Sequence, residues 1–281
     1  MTAPFGTRLR AAMDTLGPLC VGVDPHPGLL SAWGLPDDAD GLARFAGACT
    51  EAFAGRVAIV KPQSAFFERH GSRGIAVLER LLADLRSAGT LTLLDVKRGD
   101  IGSTMQAYAE AYLPDGAPLA ADAITLSPYL GAESLRPALD LARDQGRGAF
   151  VLALTSNPEG PSVQHATAPS GRSVAGDVVA LAAVENATAP DLGSVGLVVG
   201  ATVGSAVADL GLDLAGCGGP LLAPGVGAQG AGPAELREVF GAARRQVLAS
   251  SSREVLGAGP SVAGLAAAVE RTRDAVLTAL A

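Results

Sequence analysis

Eight short apolar runs, separated by segments of helical periodicity, are the feature of this sequence that most restricts its fold. The runs are bounded by Gly, Pro or charged residues and lie at 19–23, 57–60, 91–96, 123–127, 149–154, 195–200, 221–225 and 246–250. Several are apolar at consecutive positions rather than at alternate ones, which is typical of parallel strands covered on both faces. We therefore interpret the runs as eight buried parallel strands.

The intervening segments carry apolar residues at three- and four-residue steps, as amphipathic helices do. This periodicity is clearest at 41–55, 74–89, 132–146, 173–187 and 261–280. Gly55, Gly89 and Gly146 follow the last turns of three of them, where a left-handed residue commonly ends a helix. The repeated strand–helix alternation predicts an α/β fold, a (β/α)8 TIM barrel, with a doubly wound open sheet as the alternative. No composition break marks a linker, so residues 1–281 are expected to form a single domain.

Composition excludes several classes of protein. The net charge is −7, no basic run is present and aromatic residues make up 4%, so we expect no nucleic-acid binding. Cys20, Cys49 and Cys217 are widely spaced and odd in number, which favours buried thiols over a disulfide framework or a zinc site. No run is long enough for a membrane span, and the first residues lack the apolar core of a signal peptide. We expect a cytoplasmic protein, with loops at 36–40 and 157–171.

Four charged residues crowd the end of the third apolar run, although only 17% of the chain is charged. Asp95 and Lys97 are two residues apart on a predicted strand, so their side chains point to one face. Lys61 follows the neighbouring run, and Asp100 lies just beyond a turn at Gly99. Because the carboxyl ends of barrel strands carry the chemistry, we predict an array of alternating lysines and aspartates there. A purely structural network of salt bridges is the alternative.

A lysine held between aspartates keeps its proton, and this limits the reactions it can support. It is a poor Schiff-base nucleophile, which argues against a class I aldolase. It is well suited to donating a proton to a developing carbanion. A fixed aspartate beside it would repel a substrate carboxylate. These residue types therefore predict a decarboxylase that needs no cofactor and no metal ion.

The seventh run leads into the glycine-rich segment PGVGAQG at 224–230. Glycines let backbone N–H groups approach an anion closely, and loops after the seventh and eighth strands of such barrels commonly hold a phosphate. Arg253, just after the eighth run, is placed to make a charge-assisted contact with the same anion. The first and fifth runs bring Asp24 and Ser156 to this rim as well.

Six segments together resemble one known family, that of orotidine 5′-phosphate decarboxylase, and in particular its longer bacterial subfamily, type 2. The segments are FGTRLRAAMDTLGPLCVGVDPHP (5–27), VKPQSAFFERHG (60–71), DVKRGDIGST (95–104), LTSNP (154–158), VVGAT (198–202) and LLAPGVGAQG (221–230). The resemblance implies cofactor-independent conversion of orotidine 5′-monophosphate to uridine 5′-monophosphate and carbon dioxide, the last step of de novo UMP biosynthesis.

The resemblance also implies roles for the charged array. Lys97 would protonate C6 of the pyrimidine as carbon dioxide leaves, and Asp95 would lie against the substrate carboxylate. Lys61 and Asp100 would complete the array. In a homodimer of this kind, Asp100 and Thr104 would reach into the site of the neighbouring subunit.

A second group of residues would bind the substrate, again by resemblance. Asp24 and Lys61 would contact the ribose hydroxyls, and Ser156 would hydrogen-bond the pyrimidine. The 5′-phosphate would be held by the residues Gly227, Gln229 and Arg253. Ser252 is a departure, because many family members carry glycine before the phosphate-binding arginine.

Two rival functions share the same barrel. One is a metal-dependent sugar-phosphate decarboxylase or hexulose phosphate synthase of the same superfamily. Such enzymes are expected to carry a further acidic metal ligand near Lys61, for which that segment offers only Glu68. The other is a non-catalytic nucleotide-binding protein, which loss of Lys97 or of either motif aspartate would favour. All three of those residues are present.

Overall fold

The computed structural model describes residues 3–226 and 230–281. Within these ranges eight parallel strands close into a barrel in chain order, each paired with the next and the eighth paired with the first. The strands are β1 Leu19–Val23, β2 Ile59–Pro62, β3 Leu91–Arg98, β4 Ala123–Leu126, β5 Gly148–Leu154, β6 Val195–Val199, β7 Leu221–Pro224 and β8 Val247–Ser251. The predicted single-domain (β/α)8 barrel is confirmed, and the open sheet is wrong.

Helices surround the barrel and connect consecutive strands. In the described part of the chain they are α1 Phe5–Leu16, α2 Pro27–Ala32, α3 Ala39–Phe53, α4 Ala65–Glu68, α5 Gly71–Ser87, α6 Gly102–Tyr112, α7 Arg136–Asp144, α8 Pro161–Gln164, α9 Val174–Asn186, α10 Ala206–Asp209, α11 Pro233–Phe240, α12 Arg253–Leu256 and α13 Val262–Leu280. Short 3-10 turns at Ala132–Leu135 and Gly241–Gln246 precede α7 and β8. Gly55, Gly89 and Gly146 have φ values of 69°, 72° and 63°, as predicted for residues that end helices.

The predicted strand bounds lie within a few residues of the observed ones, and the shifts affect the site. Lys61 lies inside β2 and Ser251 inside β8, whereas the sequence placed both just beyond the strand ends. Strand β3 runs on to Arg98, so the whole Asp95–Arg98 segment is strand. The predicted loop at 157–171 contains the single turn α8.

Two helix starts differ from the sequence-based expectation. Helix α3 begins at Ala39, inside the predicted loop, because the Asp38 carboxylate accepts hydrogen bonds from two N–H groups of its first turn. The residue types at Ser103 and Thr104 suit an N-cap, but helix α6 already begins at Gly102, with Ile101 as its N-cap residue and no side-chain cap.

Helix α1 closes the amino end of the barrel. Phe5, Leu9 and Met13 are buried in the cluster that fills the barrel interior, where Phe5 packs edge-on against Phe150 with ring centroids 6.0 Å apart. Below them a buried ion cluster joins α1 to the starts of β4 and β5, since both Arg8 and Arg147 donate to the Asp122 carboxylate. This end is packed shut, which leaves the carboxyl end of the strands for a site.

The three cysteines are buried free thiols, as predicted. Burial raises the pKa of the Cys20 thiol to about 12, and the pKa values of Cys49 and Cys217 also lie above the usual value. Among the described residues, none of the helices has both the length and the apolar character needed to cross a membrane.

Candidate active site

A cavity of about 650 Å³ opens at the carboxyl end of the barrel. It is lined by several of the residues predicted from the sequence, namely Asp24, Lys61, Asp95, Lys97, Ser156 and Arg253. The convergence expected from the strand ends is therefore present: β1, β2, β3, β5 and β8 or the turns after them each deliver a polar side chain to this cavity.

The Asp95 carboxylate is the centre of the charged array and accepts four hydrogen bonds. Its Oδ2 accepts from Lys61 Nζ and from Gln63 Nε2, each at 2.9 Å. Its Oδ1 accepts from Lys97 Nζ at 2.6 Å and from Thr125 Oγ1 at 2.8 Å. Burial by itself would raise the pKa of Asp95, but the adjacent Lys61 and Lys97 ammonium groups lower it to about 2. Asp95 is therefore a fixed anion at neutral pH.

Lys61 is a buried cation, with 8% of its side chain exposed. Burial by itself would lower its pKa, but the carboxylates of Asp95 and Asp24 outweigh burial, so the pKa of Lys61 is raised. A lysine in this state is charged at neutral pH and is not the neutral amine that Schiff-base chemistry requires.

Lys97 is held differently, because 45% of its side chain is exposed and the ammonium group faces the cavity. Its backbone has φ +45°, in the left-handed region that costs a non-glycine residue about 1 kcal/mol. The cause is a bulge in β3: Leu94 pairs with Ile124 and Arg98 with Leu126, so three residues of β3 face one residue of β4. Bulges next to active sites commonly change the direction in which a side chain points.

Asp24 stands at the end of β1 with an unsatisfied oxygen. Its Oδ1 is buried and has no hydrogen-bond partner among residues 3–226 and 230–281. Buried polar atoms of native proteins are nearly always hydrogen-bonded, so an unpaired carboxylate oxygen on a cavity wall indicates a ligand that donates to it.

The second motif aspartate does not line the cavity of its own chain. Asp100 Oδ1 accepts a hydrogen bond from the N–H of Ile101, and Thr104 is exposed on the first turns of α6. The array formed by one chain is therefore Lys61, Asp95 and Lys97. The expectation that Asp100 and Thr104 serve a neighbouring subunit stays a prediction.

The predicted phosphate site lies at the other side of the cavity. Gly225, Val226 and Gly230 of the glycine-rich segment line it, together with Arg253, the first residue of α12. Gly227 and Gln229, which the sequence also assigned to the phosphate, lie outside the described residues.

Ser252 fits this site because of Gly22 on β1. Ser252 has φ −124°, which needs no glycine. A Cβ atom on Gly22 would lie 1.9 Å from Ser252 Oγ and 2.9 Å from Ser252 Cβ, so the serine side chain occupies the space that Gly22 leaves open. The departure from the family pattern is thus accommodated locally, next to Arg253.

Several cavity residues were missed by the sequence analysis, among them Gln63, Thr125 and His26. Gln63 and Thr125 hydrogen-bond Asp95, and His26 lines the cavity while its ring packs against that of Phe66, tilted by 59° with centroids 4.1 Å apart. For Gln63 the available signal was its spacing of two from Lys61 along a strand, which puts both on one face. For Thr125 it was a polar residue inside an apolar run.

Comparison with known proteins agrees with this geometry. The model of the family described as "Orotidine 5'-phosphate decarboxylase / HUMPS family" matches residues 17–268. The orotidine 5′-phosphate decarboxylase of Streptomyces coelicolor is 59% identical over 278 residues, covering 99% of this chain and 98% of the relative. That of Salinispora arenicola is 61% identical over 267 residues, covering 95% of each.

A solved structure shares the fold closely. It is a crystal structure from Streptomyces avermitilis, provisionally assigned as an orotidine 5′-phosphate decarboxylase, which superimposes with a TM-score of 0.95 at 57% identity and covers 99% of this chain and 96% of its own.

Proposed function

The chain belongs to the orotidine 5′-phosphate decarboxylase / HUMPS family, and from this premise we infer that it converts orotidine 5′-monophosphate to uridine 5′-monophosphate and carbon dioxide, the last step of UMP biosynthesis. The observation that carries this inference is the contact between Lys97 and Asp95 on the cavity wall. The ionised carboxylate can repel the carboxylate of an anionic substrate, and the cavity-facing ammonium group beside it can protonate the carbon that loses carbon dioxide.

Lys97 is the proposed proton donor. As the bond between C6 and the carboxylate breaks, the electron pair of that bond stays on C6. C6 then takes up a proton from Lys97 Nζ. A preorganised ammonium group stabilises that negative charge as it develops, which is usually the largest single contribution to catalysis. Enzymes that act on the slowest reactions lower the barrier by about 20 kcal/mol or more, so this contact acts together with substrate binding.

Asp95 is proposed to face the substrate carboxylate. Its low pKa keeps it charged, and the four donors around it fix its position. Like charges repel, and this repulsion is relieved as neutral carbon dioxide departs. Asp95 also holds the Lys97 ammonium group within 2.6 Å, so one carboxylate serves both the proton donor and the leaving group.

The remaining cavity residues are proposed to bind the nucleotide. The unpaired Asp24 oxygen suits a ribose hydroxyl, with Lys61 beside it, and Ser156 suits the pyrimidine. Arg253 suits the 5′-phosphate, assisted by Gly227 and Gln229. Binding energy gained at the phosphate, remote from the broken bond, can orient the ring over Lys97.

A homodimer is part of the proposal, because one chain does not bring its second motif aspartate to its own cavity. In the proposed dimer, Asp100 and Thr104 of each subunit complete the array of the other. A cytoplasmic location, also expected from the sequence, stays a prediction.

The metal-dependent sugar-phosphate alternative is less favoured. The curated relatives that match nearly the whole chain carry the name orotidine 5′-phosphate decarboxylase. Glu68, the acidic residue that such a metal site would require near Lys61, instead accepts hydrogen bonds from Ser64 and Arg98, each at 2.6 Å.

The test is direct. Purified protein is mixed with orotidine 5′-monophosphate and excess chelator, and the ultraviolet absorbance change to uridine 5′-monophosphate is followed. Conversion that is unaffected by the chelator is the expected result. A folded sample that leaves orotidine 5′-monophosphate unchanged would refute the proposal, and chelator-sensitive turnover of a sugar phosphate would establish the alternative.

A further inference from the structure

Thr125 is one of the four donors to Asp95, and its second hydrogen bond, to the backbone of Lys97, has no part in the mechanism above. It is the third residue of β4, is 1% exposed, and lines the cavity together with Asp95 and Lys97. Its hydroxyl makes two hydrogen bonds at once: it donates to Asp95 Oδ1 at 2.8 Å and accepts from the backbone N–H of Lys97 at 2.9 Å.

The second of these bonds lies at the strained point of the site. Thr125 is the one residue of β4 that faces the three-residue bulge of β3 between Leu94 and Arg98. At the bulge, the N–H of Lys97 is bonded to the Thr125 hydroxyl instead of to a ladder carbonyl. The hydroxyl therefore stabilises the left-handed backbone of Lys97, which directs its side chain toward the cavity.

We propose that Thr125 is a positioning residue for the decarboxylation, whose hydroxyl fixes the Lys97 backbone and the Asp95 carboxylate in one geometry. The inference rests on the proposed function and goes beyond that function, because the orientation of the proton donor is assigned to a third side chain. Thr125 acts through Lys97 and Asp95 and takes no part in the bond-breaking step.

The hydroxyl, rather than the shape of the side chain, carries this role. Valine has the same branched shape but would leave the Lys97 N–H without its acceptor and Asp95 Oδ1 without one donor. A buried N–H without a partner is unfavourable, so the bulge would shift to find another acceptor and Lys97 would move with it. Serine keeps both hydrogen bonds and removes only a methyl group.

The chain offers a matched control at the other end of the same pair of strands. Thr92 on β3 is 2% exposed, and its hydroxyl donates to Asp122 Oδ2 at 3.3 Å and accepts from the N–H of Asp122 at 3.2 Å. It is thus a buried threonine bonded to an aspartate and to a backbone N–H, as Thr125 is, but it lies at the closed amino end.

The experiment compares Thr125→Val, Thr125→Ser and Thr92→Val with the wild type. Kinetics with orotidine 5′-monophosphate give kcat and KM, calorimetric titration gives the Kd of uridine 5′-monophosphate, and thermal melts give Tm. We expect Thr125→Val to lower kcat by about 10- to 100-fold, the loss typical of a small misplacement of a catalytic group, while KM and Kd change by less than about threefold. Thr125→Ser should restore most of kcat, and Thr92→Val should lower Tm but keep kcat.

Two outcomes would overturn the inference and leave the proposed function standing. One is an active wild type whose folded Thr125→Val variant keeps full kcat, and the other is a Thr125→Ser variant that loses as much kcat as Thr125→Val. If Thr125→Val does not fold, Thr125→Ala replaces it, with rescue by serine as the same criterion. A wild type that does not convert orotidine 5′-monophosphate would overturn both proposals.

Discussion

The contact between Gly22 and Ser252 offers a sharp test of how β1 and β8 are packed at the site. In Gly22→Ala, the new Cβ would lie 1.9 Å from Ser252 Oγ and 2.9 Å from Ser252 Cβ. Rotation of the serine hydroxyl can relieve the first contact. The second persists in every rotamer of the serine, so the backbone of one strand end has to move.

The size of the effect follows from these distances. Inserting an extra carbon into a tightly packed region typically costs about 1–3 kcal/mol. For a chain of this size, a loss of about 2 kcal/mol lowers Tm by about 3–4 °C. Because Asp24 Oδ2 would also lie 3.1 Å from the new Cβ, and Arg253 directly follows Ser252, we expect KM for orotidine 5′-monophosphate to rise as well.

A double-mutant cycle isolates the contact. The variants are Gly22→Ala, Ser252→Gly and their combination, compared by urea unfolding and by kinetics. Ser252→Gly alone should cost about 0.5–1 kcal/mol through the added freedom of the unfolded chain. In the double variant it removes both close atoms, so we expect a favourable interaction free energy of about 1–2 kcal/mol between the two changes. Rescue should be incomplete, because the contact with Asp24 remains.

Strict additivity of the two single changes, in the unfolding free energy and in KM, would refute this packing argument. Ser252 would then have no steric relation to β1, and its presence before Arg253 would need another account. A wild-type-like Gly22→Ala variant would contradict the argument even more directly.

Three further outcomes are expected. Lys97→Ala should lose nearly all turnover while Tm is retained, because the side chain is half exposed; substantial remaining activity in a steady-state assay would contradict its role as proton donor. Arg253→Ala should lower kcat/KM by about 10- to 100-fold, the usual loss for a hydrogen bond to a charged group, and unchanged kcat/KM would place the phosphate elsewhere. The advantage of wild type over Asp95→Asn in unfolding free energy should shrink by about 2 kcal/mol on acidification, because the pKa of Asp95 is lowered from 3.8 to about 2. That stability is present above pH 3.8 and is lost as the pH falls through about 2, and a difference that stays constant in acid titrations would exclude the shift.

The barrel and most of its rim could be predicted from the sequence, because both follow from local patterns. Consecutive apolar positions identify buried parallel strands, and the residues at their ends necessarily meet at one edge. For that reason Asp24, Lys61, Asp95 and Lys97 could be assigned to one site without knowledge of distances.

What could not be predicted depends on how strands align. The bulge at Lys97 results from the register of β3 against β4, which no pattern within β3 specifies. Thr125 looks like a minor interruption of an apolar run until that register places it opposite the bulge. Gly22 and Ser252 are distant in the chain, and only the closure of β8 on β1 brings them together.

Helix α1 closes the amino end of the barrel, so the cavity at the carboxyl end is closed at its base. In the described part of the chain, Phe5, Leu9 and Met13 fill the end opposite the charged array. The nucleotide therefore enters, and both products leave, through the same rim. In the proposed mechanism, carbon dioxide is set free beside Lys97 and has to pass the nucleotide that produced it, so access to this rim governs product release as well as substrate capture.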